Sequence, residues 1–443
     1  MHRTWSRFGS RATVVAIAGA AGFASAQQWE PSFPPNPSSS GHNFMMGVSA
    51  LGADDAWAAG YYNQTVGFGF ETRTLAAHWD GQAWTRAPTP SPASQGLTVQ
   101  AALYDIEAIA HDDVWAGGYK TIQHPGDGVV GTQLLVMRWD GTEWSEVEAP
   151  ITPVGGTGAW VRDIRAFAPD DVWFTGLFNF VNAGGTTGFV MHWDGSGFTM
   201  HQTPNFTQNS EKNQMIDRDA QGNLWVVGMH GRGGWGSHPY VLRGDGQSWD
   251  VIASWNEADY SDLQSIAAFA EDDAWIGMAK DQSFQFAGYV WRHWDGSSWS
   301  EIPVPEQYHE PHLAASGPDE IYSGGEASLF HYDGSAWSLV DVFESAPYPN
   351  MNRINTAPDG SVFGAGRYFP DLGSDGRTLA ARQLPSPGCD ADFNGDGTVN
   401  TLDVLGFLNA WSVRETSADF NHDGTVNTLD VLAFLNAWSA GCD

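Results

Sequence analysis

The chain is 443 residues long and carries a formal net charge of −32, with 52 acidic residues against 20 basic ones. That charge repels polyanions, so nucleic acid and anionic lipid surfaces are excluded as partners. Glycine (52) and tryptophan (22) are frequent, and apolar residues show almost no helical periodicity before residue 400, which points to an all-β body.

The first 26 residues read as a secretory signal peptide. Arg3, Arg7 and Arg11 form a basic start, Ala12 to Phe23 an apolar run too short to span a bilayer, and Ala24-Ser25-Ala26 a small-x-small cleavage site. No later segment reaches transmembrane length. The mature chain from about Gln27 is therefore expected to be soluble, with no transmembrane anchor, and extracellular or associated with the cell surface.

Residues 27–385 alternate two phrases. The first, D-D-x-W-x-x-G, recurs around Trp57, Trp115, Trp173 and Trp275, becomes Asn223-Leu224-Trp225 in the fourth copy, and degrades to Glu320-Ile321-Tyr322 and Ser361-Val362-Phe363. The second, W-D-G-x-x-W, surrounds Asp80, Asp140, Asp194, Asp245, Asp295 and Asp333. A period near 50 residues with glycine and aromatic signatures indicates a β-propeller, here with seven blades of four strands. In the second repeat the strands are expected at Tyr104–Ala110, Val114–Tyr119, Leu134–Trp139 and Trp144–Ala149, the last two joined by an Asp-Gly hairpin. Only six copies of the second phrase exist. Gln27-Gln28-Trp29-Glu30 matches the tail of a seventh, so residues 28–34 are expected to supply the outer strand of blade seven and close the ring. These phrases resemble those of bacterial Asp-box and kelch-like propellers, although the pattern S-x-D-x-G-x-x-W is only partly kept and no sialidase-type arginine triad can be placed. The resemblance implies architecture, not activity.

The short A–B and C–D links share one face, and the variable B–C and D–A links emerge on the other, where binding is expected. Fifteen tryptophans, counting Trp29, occupy repeat positions and are expected to pack between blades. Trp160, Trp235, Trp255 and Trp291 lie off the repeat. The candidate ligand face comprises Trp160, Trp235 and Trp255, whose indoles can stack on sugar rings, with Glu257, Asp259 and Asp262, carboxylates crowded into one D–A link. Glycoside hydrolysis needs two carboxyl groups 5 to 10 Å apart, but acidic loop residues are ordinary in so acidic a chain. His309-Glu310-Pro311-His312 has the composition of a metal site, yet its proline prevents the helical presentation of a zinc protease. No nucleotide-binding loop, reactive cysteine or nucleophile elbow is present, and no residue is assigned a catalytic role.

Pro385-Ser386-Pro387-Gly388 ends the repeats, with residues 386–388 as a short linker, and residues 389–443 form a separate module. Residues 391–412 and 418–439 are near-identical, differing only at Gly395/His422 and Gly406/Ala433. Each copy opens with D-x-N-x-D-G-x-V-N-T-L-D, oxygen donors at the alternating positions a hard Ca²⁺ ion needs. One loop offers Asp392, Asn394, Asp396, the Thr398 carbonyl, Asn400 and Asp403. The other offers Asp419, Asn421, Asp423, the Thr425 carbonyl, Asn427 and Asp430. Two calcium ions are expected, each followed by a helix marked by Leu402, Leu405, Leu408 and Trp411, or by Leu429, Leu432, Leu435 and Trp438. Cys389 and Cys442 bracket the module and in an exported protein are read as a disulfide, worth roughly 4 kcal/mol in the chain-entropy description.

Duplicated loop–helix units with Asp at position 12 and no entering helix resemble dockerins, and the terminal Gly-Cys resembles the dockerins of exported planctomycete proteins. The resemblance implies a cohesin-like scaffold partner. Loop positions 10 and 11, which select the cohesin, are Thr401-Leu402 and Thr428-Leu429, and their identity in the two copies implies two equivalent docking orientations. The expectation is thus an all-β seven-bladed propeller followed by a small α-helical calcium-binding dockerin, serving as a non-catalytic binding or display module for an extracellular ligand such as a polysaccharide. The alternatives are a secreted carbohydrate-active enzyme, a glycoside hydrolase or polysaccharide lyase, and a structural cell-surface component.

Overall fold

The computed structural model describes residues 29–67, 69–90, 100–123, 130–150, 156–180, 185–204, 206, 211–231, 238–255, 260–282, 285–304, 311–325, 328–342, 349–371, 373–383, 391, 393, 401–418, 420 and 425–440. They fall into two compact units on either side of the Gly388–Cys389 junction.

The larger unit is a seven-bladed β-propeller of seven four-stranded antiparallel sheets. Blade one runs Asn43–Gly52, Asp55–Val66, Gly69–Trp79 and Trp84–Arg86, and blade two Ala101–Ala110, Asp113–Gln123, Val130–Trp139 and Trp144–Glu146. The inner three strands are longer than the phrases suggest and the outer strand is shorter. In blade one, pairing of the second and third strands continues to Val66–Gly69. What reads as a B–C loop over residues 63–71 is therefore a projecting β-ribbon, because Thr and Val there sustain the ladder beyond the signature.

Blade seven closes the ring with both ends of the repeat array. Its inner strands, Asn350–Thr356, Val362–Tyr368 and Arg377–Gln383, are completed by Glu30–Ser32, which pairs antiparallel with Ala380–Arg382. The N-terminal segment then runs along this edge. Thr378 N–H donates to Asn36 Oδ1, and the Arg377 guanidinium donates to the Ser38 carbonyl. An edge that would otherwise expose unpaired backbone groups is covered.

The signature residues form one repeated packing unit. Each B-strand aromatic inserts against the W-D-G-x-x-W hairpin of the next blade. Trp57 lies 5.2 and 5.7 Å from Trp139 and Trp144 of blade two. Trp115 contacts Trp193 and Phe198 of blade three, and Trp275 contacts Tyr332 and Trp337 of blade six. Phe363 joins Trp79 and Trp84 across the closure, and Tyr322 shares a core cluster with Trp29. Trp29 thus fills the hairpin position that the seventh blade lacks. In blades one, two, three, five and six a histidine or arginine of the C strand sits behind the B-strand aromatic, paired in turn with the acid that opens the B strand. His192 stacks on Trp173 at 4.1 Å and its Nε2 lies 2.9 Å from Asp171. Arg138 covers Trp115 and donates two hydrogen bonds to Asp113.

The hairpin aspartates have a structural task. Asp80 Oδ1 accepts the N–H groups of Gln82 and Ala83, and Asp140, Asp194, Asp245, Asp295 and Asp333 repeat the turn. The glycine after each has φ between 83° and 92°, a left-handed conformation that a side chain resists.

The smaller unit contains helices Thr401–Val413 and Thr428–Ala440. Its core is not the leucine stripe that helical spacing picks out. Phe407 and Phe434 are fully buried and stack at 4.2 Å, with Phe393 and Phe420 packed edge-on. Leu402, Leu405 and Leu408 are 55, 55 and 41% exposed, and Leu429, Leu432 and Leu435 are 57, 58 and 41% exposed. Each helix is apolar on two sides, and periodicity alone does not distinguish the side facing inward.

Candidate functional site

The propeller channel is built first from a backbone requirement. The innermost strands have no neighbour on their channel side, so some of their N–H groups need other acceptors. Register shifts bulge these strands at Leu103–Asp105, Val161–Asp163 and Asn213–Met215. Carboxylates of one blade then accept from the next: Asp105 Oδ2 from Ile164 N–H and Asp163 Oδ2 from Ile216 N–H, both at 2.8 Å, and Asp217 Oδ2 from Ala268 N–H at 2.9 Å. Ser49 and Asn355 serve Ala108 and Ala50 in the same way.

Arginines cross the channel to balance these acids. Arg353 of blade seven reaches Asp163 of blade three at 2.6 Å and Asp105 of blade two at 3.8 Å. Arg165 lies 3.7 Å from Glu107 and 3.8 Å from Asp217. Four carboxylates face two guanidiniums, and burial pushes the Asp105 and Asp217 carboxyls up and the Glu107 carboxyl up to about 7. Around Asp105, Asp163 and Arg353 the channel narrows to a cavity of about 20 Å³, room for one water. The channel is a plugged core, not a passage.

Above the plug, on the face of the B–C and D–A links, blades seven, one, two and three present a half-buried cluster of aromatic rings and guanidiniums seated on the buried Phe44. Phe44 meets Tyr61 edge-on at 5.1 Å, under the Arg367 guanidinium at 4.8 Å. Tyr104 meets Tyr119 at 5.7 Å, and Arg162 covers the Tyr104 ring at 5.2 Å. Trp160 lies 6.4 Å from Tyr119. Burial raises all three phenols, and their mutual repulsion adds to it for Tyr61 and Tyr119. Tyr119 is pushed up to about 12, so these hydroxyls remain protonated donors at any ordinary pH. Among the described residues, Asp105 and Asp163, each next in sequence to a member of the cluster, are buried and committed to backbone N–H groups and Arg353.

Of the residues selected from sequence for this face, Trp160 joins the cluster. Trp255 packs on Trp299 at 5.8 Å beneath the Arg292 guanidinium, its backbone carbonyl accepts from His238 Nδ1 and its N–H donates to the Pro239 carbonyl, so it acts as a staple between blades four and five. Asp262 sits in strand Tyr260–Ala270, paired through its backbone with Ala279. Trp235, Glu257 and Asp259 lie outside the described residues, as do His309 and Glu310. Trp291 is fully buried, stacked on Trp337 at 4.0 Å, with its indole N–H donated to Ser323. Sequence reasoning missed Tyr61, Tyr104, Tyr119, Arg162 and Arg367. They carry no motif; their only signal is polar or aromatic character at the channel ends of inner strands.

In the smaller unit, Asp403 and Asp430 are fully buried in the first turns of their helices. Asp430 Oδ2 accepts Asn427 N–H at 2.7 Å, and Asn427 Oδ1 caps the helix by accepting Leu429 N–H. The Trp411 indole donates to the Asn427 carbonyl, tying the first helix to the second loop. A fully buried carboxylate at each loop end fits a site completed by a cation. Asp392, Asn394, Asp396, Thr398, Asn400, Asp419, Asn421 and Asp423 lie outside the described residues, as do Cys389, Cys442 and residues 1–26, expected from sequence to be a signal peptide. Thr401, Leu402, Thr428 and Leu429 are all exposed. Among the described residues no helix is long and apolar enough to cross a membrane.

Residues 390–437 match the dockerin type I domain, a calcium-binding module that docks onto cohesins. No curated protein matches the chain. Solved structures similar to it include a protein of unknown function from Dyadobacter fermentans (10% identity, 80% of this chain and 98% of that one, TM-score 0.48). A GH74 xyloglucanase from Xanthomonas campestris is 15% identical over 78% of this chain and 54% of its own, with a TM-score of 0.46. An α-L-arabinofuranosidase from Fusarium graminearum is 13% identical over 82% and 98%, with a TM-score of 0.45. At these identities and scores no activity is transferred to this chain.

Proposed function

We propose that the protein is secreted, docks through its C-terminal module onto an extracellular cohesin-bearing scaffold, and uses the propeller to hold a polysaccharide without cleaving it. The observation that carries this reading is the cluster of Tyr61, Tyr104, Tyr119 and Trp160 with Arg162 and Arg367. Aromatic faces and guanidinium donors suit sugar rings and their hydroxyl or acidic substituents. Among its described members there is no carboxylate to act as acid, base or nucleophile.

The dockerin holds two calcium ions through the twelve loop residues named above, and its duplicated exposed surfaces, Thr401-Leu402 and Thr428-Leu429, offer the cohesin two equivalent faces. The Cys389–Cys442 disulfide closes the module, and residues 27–385, 386–388 and 389–443 are the propeller, linker and dockerin.

The test uses the whole mature chain with calcium. Retention on gels containing individual plant or marine polysaccharides is measured, and the same incubations are chromatographed for released oligosaccharides. Retention on at least one polysaccharide, weakened at least tenfold by Tyr119→Ala or Trp160→Ala and accompanied by no new products, is expected. Released oligosaccharides would instead make the propeller a hydrolase or lyase.

A further inference from the structure

On the opposite face, where the short A–B and C–D turns lie, one inter-blade junction differs from the rest. The acid–histidine pair of blade one is Asp55 and His78, with His78 Nε2 2.8 Å from Asp55 Oδ1. The A–B turn of blade two adds His111, whose Nδ1 lies 3.2 Å from Asp55 Oδ2. One ligand atom from each of the three residues lies within 4.8 Å of the others. His78 and Asp55 are about one-fifth exposed, while His111 is 70% exposed, so solvent reaches the group from one side.

The turn position that His111 occupies reaches back onto the preceding blade's pair. In blade five it is Glu271, which lies 3.2 Å from Arg243 of blade four. In the corresponding turns of blades one, three and six, Asp54-Asp55, Asp170-Asp171 and Asp319-Glu320, it is Ala53, Pro169 and Pro318, none of which can ligate through a side chain. His293–Asp273 of blade five therefore repeats the pair at 2.9 Å with only Pro318 at that position. Blade packing needs the pair; it does not need the third donor.

We propose that Asp55, His78 and His111 bind a divalent transition-metal ion of the zinc type, distinct from the calcium loops. Two imidazole nitrogens and one carboxylate oxygen form a borderline donor set that suits Zn²⁺ and is too poor in oxygen for Ca²⁺. At bonds of about 2.0–2.2 Å, tetrahedral ligand atoms stand roughly 3.3 Å apart, close to the spacings Asp55 already makes with both rings. The ion replaces two hydrogen bonds with three coordinate bonds and clamps blade one to blade two. The open side of His111 leaves the fourth position to water. The excess of acidic residues raises the local concentration of any cation.

The mature chain, with its dockerin loops saturated by excess CaCl₂, is titrated with ZnCl₂ by calorimetry. One saturable equivalent is expected, with affinity reduced at least tenfold in His111→Ala and unchanged in His293→Ala. Circular dichroism confirms the fold of both variants. Zinc should also raise the melting temperature of the wild-type chain but not that of His111→Ala. Absence of a saturable site, a site that persists unchanged in His111→Ala, or one lost equally in His293→Ala would each overturn the assignment.

Discussion

Glu107 shows how a single buried carboxyl makes the stability of the propeller depend on pH. It faces Arg165 and Ser49 as favourable partners and Asp163 and Asp217 as repulsive ones, and burial is the largest influence, raising it from 4.5 to about 7. An acid raised in the folded state favours folding while protonated. Its contribution is complete below its unfolded value near 4.5 and is lost as pH rises through about 7. The raised Asp105 and Asp217 act in the same direction. Urea denaturation should find the propeller less stable at about pH 8 than at about pH 5, with up to about 3 kcal/mol of the difference due to Glu107 at 1.36 kcal/mol per pH unit. Glu107→Gln should flatten part of that slope, and an unchanged slope in the variant would remove Glu107 as its source. The hairpin aspartates behave oppositely. Asp140, Asp194 and Asp333 are held at about 2 by the hydroxyl and N–H groups of their turns, so their support is present above the ordinary carboxylate range and is lost as pH falls through about 2.

Elements show where sequence patterns are sufficient and where they are not. The two propeller phrases were legible because each repeats a complete packing unit. Trp115 is buried against Trp193 and Phe198 and covered by Arg138, so Trp115→Ala should cost about 3–5 kcal/mol, measured as a shift in the denaturation midpoint. The dockerin helices were legible as helices, but their inward face was not. Asp403, Phe407 and Ala410 are buried, spaced four and three apart, while Leu402, Leu405 and Leu408 stand beside them on the outer side. Both sets satisfy helical periodicity, and only the partner helix decides between them. Phe407→Ala should therefore unfold the smaller unit in calcium. Leu402→Asp combined with Leu429→Asp should leave its circular dichroism intact and abolish capture by a cohesin. Loss of helicity in the double leucine variant would place those residues in the core after all. The channel-end cluster escaped sequence reading for a related reason: strands of four different blades bring its members together, and no local pattern records their convergence.

At the scale of the whole molecule, stability depends on joining the two ends of the repeat array. Glu30–Ser32 contributes only three residue pairs with Ala380–Arg382, but the segment does more than pair. Trp29 is buried with Tyr322, Met351 and Leu379, Glu30 meets the Arg382 guanidinium at 2.9 Å, and Ser32 accepts the Trp84 indole N–H from blade one. The strand therefore ties blade six to seven through Trp29 and blade seven to one through Ser32. Closing the ring brings together residues more than 340 positions apart, a connection with a high entropic cost that must be offset by contacts made only once the other blades are in place. A chain starting at residue 35 should have a lower melting temperature and aggregate with increasing concentration, because the edge of Arg377–Gln383 becomes available to other chains. Trp29→Ala, which keeps the strand but removes its anchor, should lower the melting temperature without that aggregation. Adding a synthetic peptide of residues 27–36 to the shortened chain separates closure from general destabilisation. If the peptide restores solubility and part of the melting temperature, the strand works by completing blade seven. If it has no effect while the shortened chain aggregates, the edge is not what the segment protects.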